Sequence, residues 1–418
     1  MRRRLSVLLL VPAAIMLFAA PASGAPPSND PTTAAKIAAT WLAHQVNDQG
    51  FIPQAGNPST PNLSNTVQAV LALASAGVGR TQVDAMLAYL GGHIDDLVVR
   101  SGNDDPGALS YLILDVVAAG GDATDFGPGH EDLVTRLENT RQVDGLFGAA
   151  DATFDGAFRQ GLGLLALHGA GQSDTAAADW LVDQQCADGS WTSFRADTSV
   201  ACPPVDPNTF TGPDTNSTAL AALGLKAQGR NPEASDGANA LLAVRNAEGA
   251  WGFLAAADQL TDSNSSGVVV AALRAINGSQ DAQGVAALLA LQVGCDGDPA
   301  DVGGVAFQAS PDGLVPDVLA TDQAILGLAN VVMPIASATI SPDLTVACAP
   351  AETTTTTTST TTPITSTTES ATQVEATNVS QLARTGSSAL TEVGLALMLM
   401  GAGGVLVQLA QDRRRQLS

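Results

Sequence analysis

The chain has 418 residues, with 41 acidic side chains against 18 basic ones and a formal net charge of −23 at pH 7. So acidic a chain offers no basic face for neutralising phosphates, which excludes nucleic acid as a partner. Aromatic residues make up only 4% of it, too few to line a cavity that guides carbocations.

Residues 1–25 read as a secretory signal peptide. Arg2, Arg3 and Arg4 form a charged start, Leu5 to Ala20 is apolar, and the small residues Ala22, Ser23, Gly24 and Ala25 follow. Export places the four cysteines, Cys186, Cys202, Cys295 and Cys348, in an oxidising compartment. Four cysteines allow three pairings, and sequence alone does not choose among them. Cys186–Cys202 with Cys295–Cys348 is favoured, because each pair brackets one irregular segment.

Residues 26–350 are long for one ordinary domain, and internal repeats account for the length. Thr66 to Leu73, Thr218 to Leu225 and Gly267 to Leu273 are sharp copies of one apolar pattern, closed by Gly77, Gly229 and Gly278. Leu109 to Gly120 and Phe158 to Gly169 match more loosely, and Thr321 to Val332 is a sixth copy without the final glycine. Segments apolar almost all round must be helices buried on every side. Short polar residues suited to N-caps precede them: Ser64-Asn65, Asp104-Asp105, Asp155, Asp214 to Asn216, Asp262 to Asn264 and Asp322.

Before each buried helix lies a second one with a single apolar stripe: Ala34 to Gln45, Gln82 to His93, Asp132 to Arg141, Thr175 to Gln185, Ser235 to Arg245 and Ala282 to Gln292. Six such hairpins predict an all-α (α/α)6 toroid, with the apolar helices lining its core. An open α-solenoid is the alternative.

The segment Trp180 to Trp191 resembles the QW repeat of squalene and oxidosqualene cyclases and related prenyltransferases, with Gln185, Gly189 and Trp191 at the spacing Q-x3-G-x-W. The stretch with Arg245, Glu248, Gly249 and Trp251 is a weaker copy. Trp41 to Gln45 with Gly50-Phe51 is weaker again, and Leu137 to Phe147 is an echo. In that superfamily the Gln and Trp brace a helix end against the following loop, so the resemblance implies architecture rather than catalysis.

The enzymatic features of the superfamily are missing. Cyclases use an Asp-x-Asp-Asp acid, and the nearest pairs here, Asp95-Asp96 and Asp104-Asp105, have no third carboxylate. The first pair is expected in a solvated loop and the second at a helix cap. Prenyltransferases hold zinc with Asp, Cys and His, but His44, His93, His130 and His168 are scattered and the cysteines suit disulfides. Cys295 is followed by Asp296-Gly297, so the thioester motif of complement-type toroids is absent. Asp296, Asp298 and Asp301 have an oxygen-rich spacing but not the length or glutamate of an EF-hand loop, and read as a polar, disulfide-tied loop. No cofactor and no metal are expected.

Non-catalytic extracellular toroids of the cobalamin-carrier type are also similar. That likeness implies a small apolar or cobalamin-like ligand at the ring mouth, lined by Asn65, Asp155, Asp214, Asn216, Asp262, Asn264, Asp317 and Asp322. Each of these residues also suits a helix cap.

Residues 351–381 are dominated by Thr and Ser, with an unbroken run from Thr353 to Thr358, and read as a disordered stalk. There follow Leu382, Ala383, Arg384, Thr385 and Gly386. Residues 393–410 are an uncharged span whose one polar side chain is Gln408, long enough for a transmembrane helix, and residues 411–418 carry Arg413, Arg414 and Arg415. This order resembles the sorting signal of Gram-positive surface proteins, in the LAxTG form of actinobacteria. It implies cleavage between Thr385 and Gly386 by a sortase and attachment to peptidoglycan. The sequence thus predicts a wall-anchored binding or adhesion module. The alternative is a terpene cyclase- or prenyltransferase-like enzyme acting on an apolar substrate.

Overall fold

The computed structural model of the chain describes residues 25–149 and 156–348. Most of the signal segment, Asp155, the threonine-rich stretch, the Leu382–Gly386 motif, the 393–410 span and the basic tail lie outside the described residues. No helix among the described residues is long and apolar enough to cross a membrane.

Six helices form an inner ring: α2 (Leu63–Ala76), α5 (Pro106–Ala118), α7 (Ala157–Gly169), α9 (Thr215–Ala227), α11 (Ser263–Asn277) and α13 (Val318–Leu328). Each packs on the next, and α13 packs back on α2, so the ring is closed. The open-solenoid alternative is thereby ruled out.

Six outer helices surround the ring: α1 (Pro31–Ala43), α3 (Arg80–Gly91), α6 (Leu133–Asn139), α8 (Thr175–Asp183), α10 (Asn231–Ala243) and α12 (Ala282–Ala290). A short α4 (Ile94–Val98) and two small hairpins, β1 (Pro53–Gln54) with β2 (Asn57–Pro61) and β3 (Val99–Arg100) with β4 (Asn103–Asp104), decorate the loops. One contiguous apolar cluster runs through every hairpin. The disulfides are Cys186–Cys202 and Cys295–Cys348, the favoured pairing.

Glycine sets how tightly the ring closes. A Cβ on Gly224 would stand 2.3 Å from the Gly161 carbonyl oxygen, and one on Gly267 would stand 2.1 Å from that of Gln323. Helices α7 and α9, and likewise α11 and α13, therefore touch backbone to backbone.

The QW segment acts as a brace. The Trp191 indole donates to the Leu181 carbonyl at 2.9 Å, and the Gln185 amide donates to the carbonyls of Gly189 and of Glu233, in the first turn of α10, both at 3.1 Å. Gly189 has φ +89° and sits where a Cβ would meet the Asp236 carbonyl at 2.5 Å, so the motif requires glycine there. In the weaker copy Arg245 replaces the glutamine. It bonds Asp281 and Gln283 at the start of α12 and lies 4.9 Å over the Trp251 ring.

A hydroxyl one turn into an inner helix completes four of the braces, and at Phe147 the Gln160 amide oxygen takes that place, accepting the Phe147 N–H at 2.8 Å. Thr66, Thr218, Ser266 and Thr321 accept the backbone N–H of Ile52, Trp191, Trp251 and Val305 at 2.9–3.1 Å.

The same bond closes the ring seam. The Gln292 amide donates to Gly303 at 2.9 Å and to Ala34 of α1 at 3.0 Å, while the Trp41 indole donates to Ala300 at 3.1 Å. Replacing Gln292 with Ala leaves the buried carbonyls without this donor. It is expected to lower stability by about 1–2 kcal/mol, measured by denaturant unfolding; an unchanged midpoint contradicts the seam bond.

Beyond α13 the chain seals the end of the ring at which the inner helices finish. Ala338 N–H bonds the Ala118 carbonyl at 2.7 Å and Ser341 N–H bonds that of Gly77 at 2.9 Å, with Met333 and Ile340 buried. The last described residues climb α1, where Thr345 N–H bonds Thr40 Oγ1 at 2.9 Å, and reach Cys348.

Three expected caps are displaced. Gly156, not Asp155, stands at the N-cap of α7. Asn62, not Ser64-Asn65, caps α2, because the helix begins at Leu63. Asp317, not Asp322, caps α13, and Asp322 lies a turn inside it.

Candidate functional site

All six inner helices begin at the same end of the ring, because the long loops join the C-terminal end of each outer helix to the next inner one. At this mouth, Asp214, Asp262 and Asp317 are N-caps, accepting Ser217, Ser265 and Ala320 N–H at 2.7, 2.6 and 2.9 Å. Burial pushes Asp214 up to about 6 and Asp262 up to about 7, with the cap bonds offsetting part of the rise. Burial raises Asp317 as well. Asn65 is half-buried in the first turn of α2. Asn216 and Asn264 occupy the second helical positions of α9 and α11 and are buried. Asn216 Oδ1 and both polar atoms of the Asn264 amide have no hydrogen-bond partner among the described residues.

Deeper in the ring lies Asp322, which the sequence reading expected at the mouth, with two residues that it did not single out. Tyr111 and Asp115 stand one turn apart on α5, and Asp322 belongs to α13, with α2 between those two helices. Gln323 donates to Gln68 of α2 at 3.2 Å. Asp115 and Asp322 are 0% and 1% exposed, and neither carboxyl has a partner among the described residues.

Burial raises the Asp115 carboxyl well above its ordinary value, and the Asp322 carboxyl nearby raises it further. The Leu71 amide offsets a little of this, at a geometry short of a hydrogen bond. Burial, then Asp317, raises Asp322. Burial, then the two carboxyls, raises the Tyr111 phenol. Burial thus shifts all three groups toward their uncharged forms. The available signal was a single carboxylate inside an otherwise near-apolar helix, Leu112-Ile113-Leu114-Asp115-Val116-Val117.

The paired aspartates are engaged elsewhere. Asp95 and Asp104 bond Arg136, at 3.0 Å and 2.6 Å, and Asp96 bonds His93 at 3.0 Å. Asp105 caps α5 and pairs with Arg100 and Arg159. Among the described residues no group of three or more His, Cys, Asp or Glu converges as a metal site. A cavity of about 680 Å³ opens on the outer wall. It lies between Trp41 and His44 of the α1 end, Ala300 and Val302 of the following loop, and the segment ending at Cys348.

No protein-family model and no curated protein matches the chain. Solved structures do. Unsaturated glucuronyl hydrolase from Bacillus sp. GL1 is similar with a TM-score of 0.51 and 15% identity, over 72% of this chain and 95% of that one. The domain is an α/α toroid. The type II terpene cyclase MstE from Scytonema, in complex with merosterolic acid A, aligns with a TM-score of 0.50 and 14% identity, over 72% of this chain and 97% of that one. At such identities the likeness concerns the fold alone.

Proposed function

We propose that the chain is exported, joined by a sortase to peptidoglycan through Thr385, and displayed on its threonine-rich stalk, with the toroid serving as a non-catalytic binding or adhesion module. The address rests on the signal-like start and on the order of LARTG motif, apolar span and arginines; two disulfides accord with it. The observation that carries the non-catalytic reading is the state of the ring interior. Its two deep acids are buried, its far end is sealed, and two of its six inner-helix crossings are backbone to backbone. Contact with a partner then falls to the exterior. A small apolar ligand is better accommodated by the outer-wall cavity than by the mouth, where Asp214, Asp262 and Asp317 are occupied as caps.

In an actinobacterial host with its sortase, replacing Thr385 with Ala is expected to shift the protein from the muramidase-released wall fraction to the membrane fraction. Wall retention unchanged by the substitution refutes the anchoring.

The enzymatic alternative has one observation in its favour: burial shifts Asp115 and Asp322 toward the protonated form that a proton donor to an apolar substrate needs. It requires wild-type turnover of an isoprenoid substrate that Asp115→Asn or Asp322→Asn abolishes. Absence of turnover in the wild type removes it.

A further inference from the structure

The toroid ends at Cys348, and the threonine-rich stretch follows it in sequence. A pull on that stretch therefore enters the domain at this residue. There it meets a covalent bond to Cys295, 53 residues back, in the loop after α12. Both cysteines are exposed, so the bond lies on the surface and not in the core.

The cross-link encloses residues 296–347, which contain α13 and the segment that seals the ring. Helix α13 closes the ring, packing on α11, α2 and α1. The sealing segment is tied down by hydrogen bonds spaced singly along it. The Arg274 guanidinium donates to the Val331 carbonyl at 2.9 Å, and Arg80 N–H donates to that of Ser341 at 3.0 Å. Ala338, Ser341 and Thr345 donate their own N–H groups to Ala118, Gly77 and Thr40. Pulled from the Cys348 end, such bonds are loaded one after another, and each is weak alone. Cys295 is placed differently. It follows Gln292, whose amide is bonded to Ala34 of α1, and so stands at the ring seam.

We propose that the Cys295–Cys348 disulfide is a mechanical clip that passes tension from the stalk into the loop after α12 and keeps α13 and the sealing segment out of the line of pull. Whatever part of residues 25–294 a partner grips, two covalent routes lead from Cys295 to the stalk. The disulfide is the shorter, and it carries the tension while residues 296–347 stay slack. The proposal rests on the wall-anchored reading, which supplies the pull, and gives this bond a function of its own.

Optical tweezers test it on the mature chain, residues 26–385, held by tags fused at its two ends so that no sortase is needed. The parent is expected to extend only in its main unfolding event, with about 185 Å of chain withheld by the clip, at about 3.5 Å for each of 53 residues. The double variant Cys295→Ser, Cys348→Ser is expected to regain that length. It is also expected to yield first in a separate step of about 100 Å at lower force, as the chain from Val318 to Cys348 peels away. Cys186→Ser with Cys202→Ser is the control: that disulfide encloses no helix, and no early step is expected. Melting temperatures establish that both variants fold. Dithiothreitol added to the folded parent, where it reaches the exposed bond, is expected to produce the same early step without substitution.

An early step in the oxidised parent overturns the proposal, as does a clip-free protein that unfolds in one step at the parent's force. Wall linkage without the clip effect defeats this proposal alone and leaves the anchoring standing.

Discussion

Asp115→Asn and Asp322→Asn are each expected to stabilise the domain at neutral pH and to flatten its dependence on pH. An aspartate has a pKa near 3.9 in the unfolded chain, so holding one protonated at pH 7 costs up to about 4 kcal/mol. Both carboxyls have folded-state values raised well above that by burial. A raised value contributes stability that is complete below the unfolded pKa and declines as pH rises toward the folded one. Asp214 and Asp262, raised to about 6 and about 7, act in the same direction.

The exposed aspartates Asp30, Asp122, Asp197 and Asp206 are lowered, chiefly by bonds from their own turns, and weaken the fold only at pH below about 4. Stability should therefore peak in mildly acidic solution and fall from about pH 5 to pH 8. Asparagine keeps the shape and the unsatisfied polar atoms of each site while removing the proton requirement, so a gain of about 1–4 kcal/mol at pH 7 isolates that term. Thermal melts across this range check it. Variants that are less stable than the wild type at pH 8, or that keep its slope, contradict the upward shift of these two buried carboxyls.

The second large effect concerns the glycine contacts. Gly224→Val and Gly267→Val place a Cβ 2.3 Å and 2.1 Å from a neighbouring helix's carbonyl oxygen, a separation that backbone cannot accommodate in place. Either α7 parts from α9, or α11 from α13, and the ring opens along one crossing. Overpacking alone costs about 1–3 kcal/mol. Separating two helices of a closed ring adds cavity and lost-contact terms, so a loss above about 3 kcal/mol is expected. Gly129→Ala, whose nearest neighbour is an ordinary 3.5 Å away, serves as the near-neutral control. Denaturant unfolding measures both. A Gly267→Val variant as stable as the control means the crossing is looser than described.

The architecture was legible because its signals are local and repeated. Six all-apolar segments demand six buried helices, and the Gln185-to-Trp191 spacing marks where an outer helix is braced. Closure itself was harder to see. The sixth brace uses Gln292 with Gly303, across a loop of different length and with Val305 where the sharp copy has Trp191. The cap at Asp322 was misplaced because Asp317 and Asp322 are equally good cap residues one turn apart, and only helix start decides. Asp115 escaped notice for a physical reason. A lone acid in an apolar run gains meaning only when Asp322, over 200 residues away in sequence, is folded toward it.

The most direct test of a wall-displayed toroid is the intact mass of the protein released from an actinobacterial wall by muramidase. The account predicts a chain that begins at residue 26 and ends at Thr385, carries a peptidoglycan fragment there, and contains two disulfides. A chain that extends to Ser418, or one that ends near Thr385 with no peptidoglycan attached, contradicts it.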